Sequence, residues 1–311
     1  MGNCNARQND AIEDLDEEDL AFYEAIGAVT VEPISTYLLR SLLNNLRNAA
    51  SWPKRALNDA KLTKENNKDE VFTQLFGEGS GISKECRKEI GQIKGNSSAC
   101  TSIMLWDSDA ELFTDEGWKM LGQYMAKSTV LKGVNLSYVS MDGRRMGLLF
   151  REMTKSTSIT SLSVGSDQWQ NTNHFGIDSI HDMVPFLKNS NEITRLHLGG
   201  NAIHTEGFEL LMNALDGGPI QTLELYQCSI DCILALENCT LPNLTKVRLS
   251  FNNIRTMPSL EKHTNLESLD LCNNQIELPK VHGGAGLQNL SLSSNGITDE
   301  GVGSTCQITS T

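Results

Sequence analysis

Four titratable residues of this chain stand at equivalent places in neighbouring stretches. His197 lies between Leu196 and Leu198, Glu224 between Leu223 and Leu225, Arg248 between Val247 and Leu249, and Asp270 between Leu269 and Leu271. A polar residue flanked by apolar ones is the period-two pattern of a strand with one buried face. Laid side by side about 4.8 Å apart, these strands put Glu224, Arg248 and Asp270 in an acid–base–acid row. His197 then stands at one end of the row and Lys246 close by. Tyr226 and Trp106 fall two residues further along their strands, and Tyr138 and Phe251 in the adjoining row. Aromatic anchors beside an oriented charge row are how protein-binding surfaces are composed. A row that neutralises itself and binds nothing is the other reading, because exposed pairs contribute only about 0–1 kcal/mol.

Catalytic and metal chemistry fit less well. His197 and Glu224 could form an acid–base pair, but spacing places no nucleophile with them. Neither HExxH nor GxSxG occurs. Asp107, Asp109 and Glu111 begin like a calcium loop, yet Leu112 occupies the position that requires glycine and Trp118 that of the closing glutamate. Cys228, Cys232 and Cys239 lack the paired spacing of a zinc site. GEGSG at residues 77–81 follows a helix and has no Gly-Lys-Ser/Thr after it, so it reads as a linker rather than a phosphate loop. The expectation is no catalytic residue, no metal, no cofactor and no small-molecule substrate.

What positions the row is a repeat. ITRLHLGGNAIHTEG at 193–207 is echoed by LTKVRLSFNNI, LESLDLCNNQI and LQNLSLSSNGITDEG. Aligned on the first apolar position, repeats begin at Cys100, Leu131, Ile159, Ile193, Ile220, Leu244, Leu266 and Leu287. The template L-x-x-L-x-L-x-x-N/C-x-L resembles that of the leucine-rich-repeat family. Asn201, Cys228, Asn252, Asn274 and Asn295 take its Asn/Cys position, where a buried side chain can bond the backbone of the next coil. In the first three repeats Ser108, Val139 and Asp167 stand there instead. Thr114, Thr205 and Thr298, each before acidic residues, read as helix caps. These longer coils resemble the ribonuclease-inhibitor-like subclass. The later coils, with Pro242, Pro258 and Pro279, have room only for turns, so the curvature should change near residue 220.

The resemblance implies an α/β solenoid, with a parallel sheet on its concave face and helices and turns on its convex face. It spans residues 99–311, in about eight repeats. Before it, residues 35–98 read as a short helical region and linker, with Leu38, Leu39, Leu42, Leu43 and Leu46 at helical spacing and a weaker helix from Asp69 to Phe76. Residues 1–34 read as a disordered acidic start.

A net charge of −13 disfavours a broad nucleic-acid surface. No apolar run approaches the ~20 residues of a membrane span, and no secretory signal pattern opens the chain. Eight cysteines without a paired framework fit a reducing compartment, so a cytoplasmic location is expected. MGNCNA resembles dually acylated N-termini, which makes Gly2 and Cys4 lipidation candidates and the inner face of a membrane a candidate site. Ala6 stands where that pattern has Ser or Thr, and an unmodified start is the alternative.

The expected function is therefore non-enzymatic binding of a protein partner on the concave face. The residues expected to carry it are Trp106, Tyr138, His197, Glu224, Tyr226, Lys246, Arg248, Phe251 and Asp270. Two other readings stay open. The helix-bearing repeats also resemble those of the Ran GTPase-activating protein, which would make this a regulator of GTP hydrolysis. The third is a substrate-recognition subunit of a ubiquitin ligase.

Overall fold

The computed structural model describes residues 69–165, 175–277, 279 and 282–297. Gly2, Cys4, the Leu38–Leu46 stripe and the helix start at 298–301 lie outside the described residues. Residues 69–76 are helical. The compact unit that holds the array runs from Leu75 to Thr311.

Period-two patterning builds the sheet. Strands β1 (Ser102–Trp106), β2 (Gly133–Tyr138), β3 (Ser161–Ser163), β4 (Arg195–His197), β5 (Thr222–Glu224) and β6 (Lys246–Arg248) pair in parallel, each with the next. A short strand β7 (Ser259–Leu260) then leaves the series, and β8 (Ser268–Asp270) pairs directly with β6. Likewise β9 (His282–Gly283) pairs with β7 on a separate two-stranded sheet, while β10 (Asn289–Ser291) closes the eight-stranded one on β8. The two apolar residues of each motif point inward: Ile103/Leu105, Val134/Leu136, Leu162/Val164, Leu196/Leu198, Leu223/Leu225, Val247/Leu249 and Leu269/Leu271 are all buried.

Period-3.6 patterning builds the outer layer of the first coils. Helices α1 (Lys84–Lys94), α2 (Asp107–Ala110), α3 (Asp115–Lys127), α4 (Gly143–Met153), α5 (Ile177–Asn189) and α6 (His204–Leu215) precede or follow the first four strands. Their buried stripes recur at helical spacing: Trp118, Leu121 and Met125; Met146, Leu149, Phe150 and Met153; Ile180, Met183 and Leu187; Phe208, Leu211, Met212 and Leu215. Phe150 and Phe186 meet with ring centroids 5.8 Å apart. Among the described residues after Leu215, the outer layer thins to the one-turn helix α7 (Ala235–Asn238) and the β7–β9 pair. The helices give way here, as coils with room only for turns predict.

Two local expectations change. Thr114 caps α3 as its sequence predicts, accepting from the Gly117 amide at 3.1 Å. Thr205 does not cap α6, because that helix already begins at His204. Its hydroxyl instead accepts from the Asp231 and Cys232 amides of the following coil, at 3.0 and 3.2 Å. The segment after GEGSG is likewise not a free linker. Helix α1 buries Cys86, Ile90 and Ile93. The Asp109 carboxylate holds the Ser83 amide and hydroxyl (2.9 Å for the latter) at its start. Desolvation, with the carboxylates of Asp109 and Glu89, pushes the Cys86 thiol up to about 12.

Candidate functional site

From the fourth coil on, an inner ladder ties neighbouring coils together and so aims the outward-facing row. The Asn252 amide nitrogen donates to the Leu225 and Leu249 carbonyls, at 2.9 and 3.0 Å. Its side-chain oxygen accepts from the Cys228 and Ile230 amides, at 2.9 and 3.0 Å. Asn274 and Asn295 repeat the pattern one and two coils later. The bonds therefore reach the preceding coil, not the next one as the template reading had it. Cys228 substitutes with its thiol, directed at the Leu198 and Tyr226 carbonyls, and burial pushes that thiol up to about 12. A thiol this resistant to ionisation is structural rather than nucleophilic.

The turn before each ladder residue is left-handed. Gly200, Gln227, Phe251, Asn273 and Ser294 all have φ between 53° and 78°. Glycine and, less readily, asparagine adopt this region, whereas it strains a bulky residue by about 1–2 kcal/mol. Phe251 (φ 58°) is the one aromatic in the set, and it is 49% exposed.

On the open face, register makes Ser163, His197, Glu224, Arg248 and Asp270 successive neighbours. Their side chains overlap like shingles. The His197 ring lies against Gly165 and the Tyr226 ring against Gly199; a β-carbon at Gly199 would come within 2.7 Å of Tyr226. His197 Nδ1 is 2.8 Å from Ser163 Oγ, and its Nε2 is 3.0 Å from the Tyr226 hydroxyl. Ser163 Oγ is in turn 2.6 Å from Ser137 Oγ. The Arg248 guanidinium sits over the Tyr226 ring, 4.5 Å from its centroid. Arg248 Nε is 3.5 Å from Asp270 Oδ2 and donates to Ser250 Oγ at 3.4 Å.

The row thus exists, but its pairing differs from the expected ladder. Glu224 bonds Lys246 at 3.0 Å rather than its lateral neighbour Arg248. Both ion pairs are partly exposed, so neither contributes more than about 1 kcal/mol. Tyr226 is the main correction. Expected as an exposed anchor, it is only 4% exposed and serves as the platform beneath Arg248. Among the described residues, Trp106 (52%), Phe251 (49%) and Met104 (41%), two residues before Trp106, are exposed large apolar side chains on this side. Tyr138 is the register partner of Trp106 at the end of β2.

Sequence spacing missed the Ser163–His197 contact. Its signal was positional: the two occupy the same place in adjacent coils. With Ser163 at Nδ1 and Tyr226 at Nε2, the imidazole is held at both nitrogens. The calcium-like stretch is also accounted for. Asp107 accepts from the Ser140 amide and hydroxyl at 2.7 and 2.9 Å, and Asp109 is engaged by Ser83, so both carboxylates clamp neighbouring segments. Among the described residues, no group of three or more His, Cys, Asp or Glu is placed to hold a metal ion.

Comparison with known proteins adds the family of the coils. A model for paired leucine-rich repeats matches residues 242–280, and a model for a single leucine-rich repeat matches residues 287–304. No curated protein matches the chain in sequence. Among solved structures it is similar to the internalin InlP of Listeria monocytogenes, at 16% identity and a TM-score of 0.50, over 72% of this chain and 59% of that one. It is also similar to internalin C2 of Listeria monocytogenes, at 16% identity and a TM-score of 0.38, over 77% of this chain and 93% of that one. The actin-binding site 2 of leiomodin-1 aligns at 17% identity and a TM-score of 0.38, over 55% of this chain and 82% of that one. Residues 242–280 and 287–304 are leucine-rich repeats, and the fold that carries them is a leucine-rich-repeat solenoid.

Proposed function

We propose that this chain is a protein-interaction module that engages its partner on the open face of the parallel sheet. Leucine-rich-repeat arrays generally serve as interaction scaffolds, because their stacked strands make an extended surface. One observation carries the assignment to this face. Trp106, at the end of β1, and Phe251, in the turn after β6, are both about half-exposed on this face. Five strand steps separate them, roughly 24 Å at about 4.8 Å per step. A small molecule does not span that distance, whereas a folded domain or an extended segment does. The charges between them set orientation and association rate more than affinity. We further place the coils that carry α3 to α6 in the ribonuclease-inhibitor-like subclass, on the strength of their 11- to 13-residue outer helices.

The test is affinity capture from lysate of cells that make the protein, with the wild type run beside Trp106→Ala/Phe251→Ala. Both side chains are largely solvent-facing, so the variant should fold with an unchanged circular-dichroism spectrum. The expected result is a protein retained by the wild type and reduced at least tenfold on the variant. Equal capture by both would place the interaction elsewhere.

A further inference from the structure

The open face carries one cation whose setting differs from every other charge described on it. The Arg248 guanidinium carbon sits over the Tyr226 ring, 4.5 Å from its centroid. That ring is itself boxed in by Gly199 and hydrogen-bonded through its hydroxyl to His197. Only Nε of the guanidinium is engaged, by Asp270 Oδ2 and Ser250 Oγ. Among the described residues nothing bonds Nη1 or Nη2. The flanking acids are already committed: Asp270 Oδ1 accepts from the Cys272 amide at 3.0 Å, and Glu224 Oε1 accepts from Lys246. Lys246, by contrast, is a flexible chain end, and half of its side chain is exposed.

A guanidinium held by a stack, with both terminal nitrogens open, is the arrangement that grips a carboxylate through two parallel hydrogen bonds. Its rotamer freedom is already spent on the stack, so a ligand loses less entropy in ordering it. Three residues further along the same coil stands Phe251, half-exposed and held in a left-handed turn that the other coils fill with Gly200, Gln227, Asn273 and Ser294. Strain of this kind collects where a side chain is needed in a set position. A strand rise of about 3.3 Å per residue puts the two Cα atoms no more than roughly 10 Å apart.

We propose that Arg248 and Phe251 form a two-point receptor for an acidic peptide segment of the partner. An aspartate or glutamate side chain pairs with the Arg248 fork, and an apolar side chain within three residues of it packs on Phe251. This rests on the open face being the binding face, and it specifies the chemistry bound there. Tyr226 acts as a positioning residue: its ring sets the plane of the guanidinium without touching the peptide.

The test selects displayed random 12-residue peptides on the whole chain. Enrichment of Asp or Glu within three positions of an aromatic or aliphatic residue is expected. The strongest peptide is then measured against wild type, Arg248→Lys, Phe251→Asn, Tyr226→Phe and Tyr226→Leu. Arg248→Lys keeps the charge and loses the fork, and should weaken binding at least tenfold. Changing the peptide's acid to its amide should cost the wild type as much and the Arg248→Lys protein almost nothing. Phe251→Asn suits the left-handed turn, so its expected loss of binding is not a folding defect. Tyr226→Phe should bind within threefold of wild type, and Tyr226→Leu should follow Arg248→Lys. Enrichment of basic peptides, affinity unchanged by Arg248→Lys, or no peptide recovered above background would each overturn the receptor. The Trp106/Phe251 capture result reads the broader binding face separately, and can stand when this fails.

Discussion

Replacing Asn252 with leucine is expected to destabilise the array by about 3–5 kcal/mol, although the two side chains are close in size. Asn252 is 6% exposed and satisfies four backbone groups within good hydrogen-bond distance. Leucine meets none of them. The Cys228 and Ile230 amides and the Leu225 and Leu249 carbonyls would lose a buried partner, and each unsatisfied group costs about 1–3 kcal/mol. Part of this is recovered by carbonyls that keep other bonds and by the apolar character of leucine, which is why the sum stays below the upper bound. The midpoint of urea unfolding reads the effect, against Asn253→Leu as the exposed neighbour. A loss below about 1 kcal/mol at Asn252 would mean that apolar stacking alone holds the coils in register.

The second large effect is expected at Gly199. Alanine there would bring its β-carbon within 2.7 Å of two atoms of the Tyr226 ring. The ring is buried and packed between Gly199, His197 and Arg248, so it cannot simply swing away. Overpacking of this kind costs about 1–3 kcal/mol. A Gly→Ala change recovers at most about 1 kcal/mol through the unfolded chain. The displaced ring also loses its place under Arg248, so binding at the open face should fall together with stability. The double variant Gly199→Ala/Tyr226→Ala separates the two causes. If the ring is the obstacle, the glycine change should cost almost nothing once Tyr226 is alanine. Equal costs in both backgrounds would show that the backbone at Gly199, and not the ring, is what alanine offends.

The eight strands of the main sheet, their order and the residues of the inner ladder were legible in the chain because each rests on a local signal repeated many times, whereas the β7–β9 pair and the direction of the ladder bonds were not. Period-two leucines mark the buried face, and an asparagine three residues beyond the last of them marks the turn. The change of outer layer after Leu215 was legible for the same reason, since a shortened coil cannot hold a helix. The open face was legible in register but not in contact. That Glu224, Arg248 and Asp270 stand in a row follows from strand alternation. That Glu224 pairs diagonally with Lys246 depends on side-chain reach, which spacing does not report.

Tyr226 shows the limit most clearly. Strand alternation points it outward, yet it is buried, because the coil before it supplies Gly199 at the position where a side chain would have propped it up. His197 rests on Gly165 in the same way. Reading glycines across coils rather than along the chain is what would have found both. Thr205 failed as a cap for a related reason: its hydroxyl serves amides 26 and 27 residues away, which no local window contains.

The most direct measurement of whether this face meets a partner is site-directed photo-crosslinking. A benzophenone amino acid would replace Trp106 or Phe251 on the open face, or Leu234 at the start of α7 in the outer layer, all three exposed in the structure. In lysate from cells that make the protein, adducts of one mass shift are predicted from positions 106 and 251 and not from 234. An adduct from 234 with none from 106 or 251 would contradict the account and move the binding surface to the helical side of the solenoid.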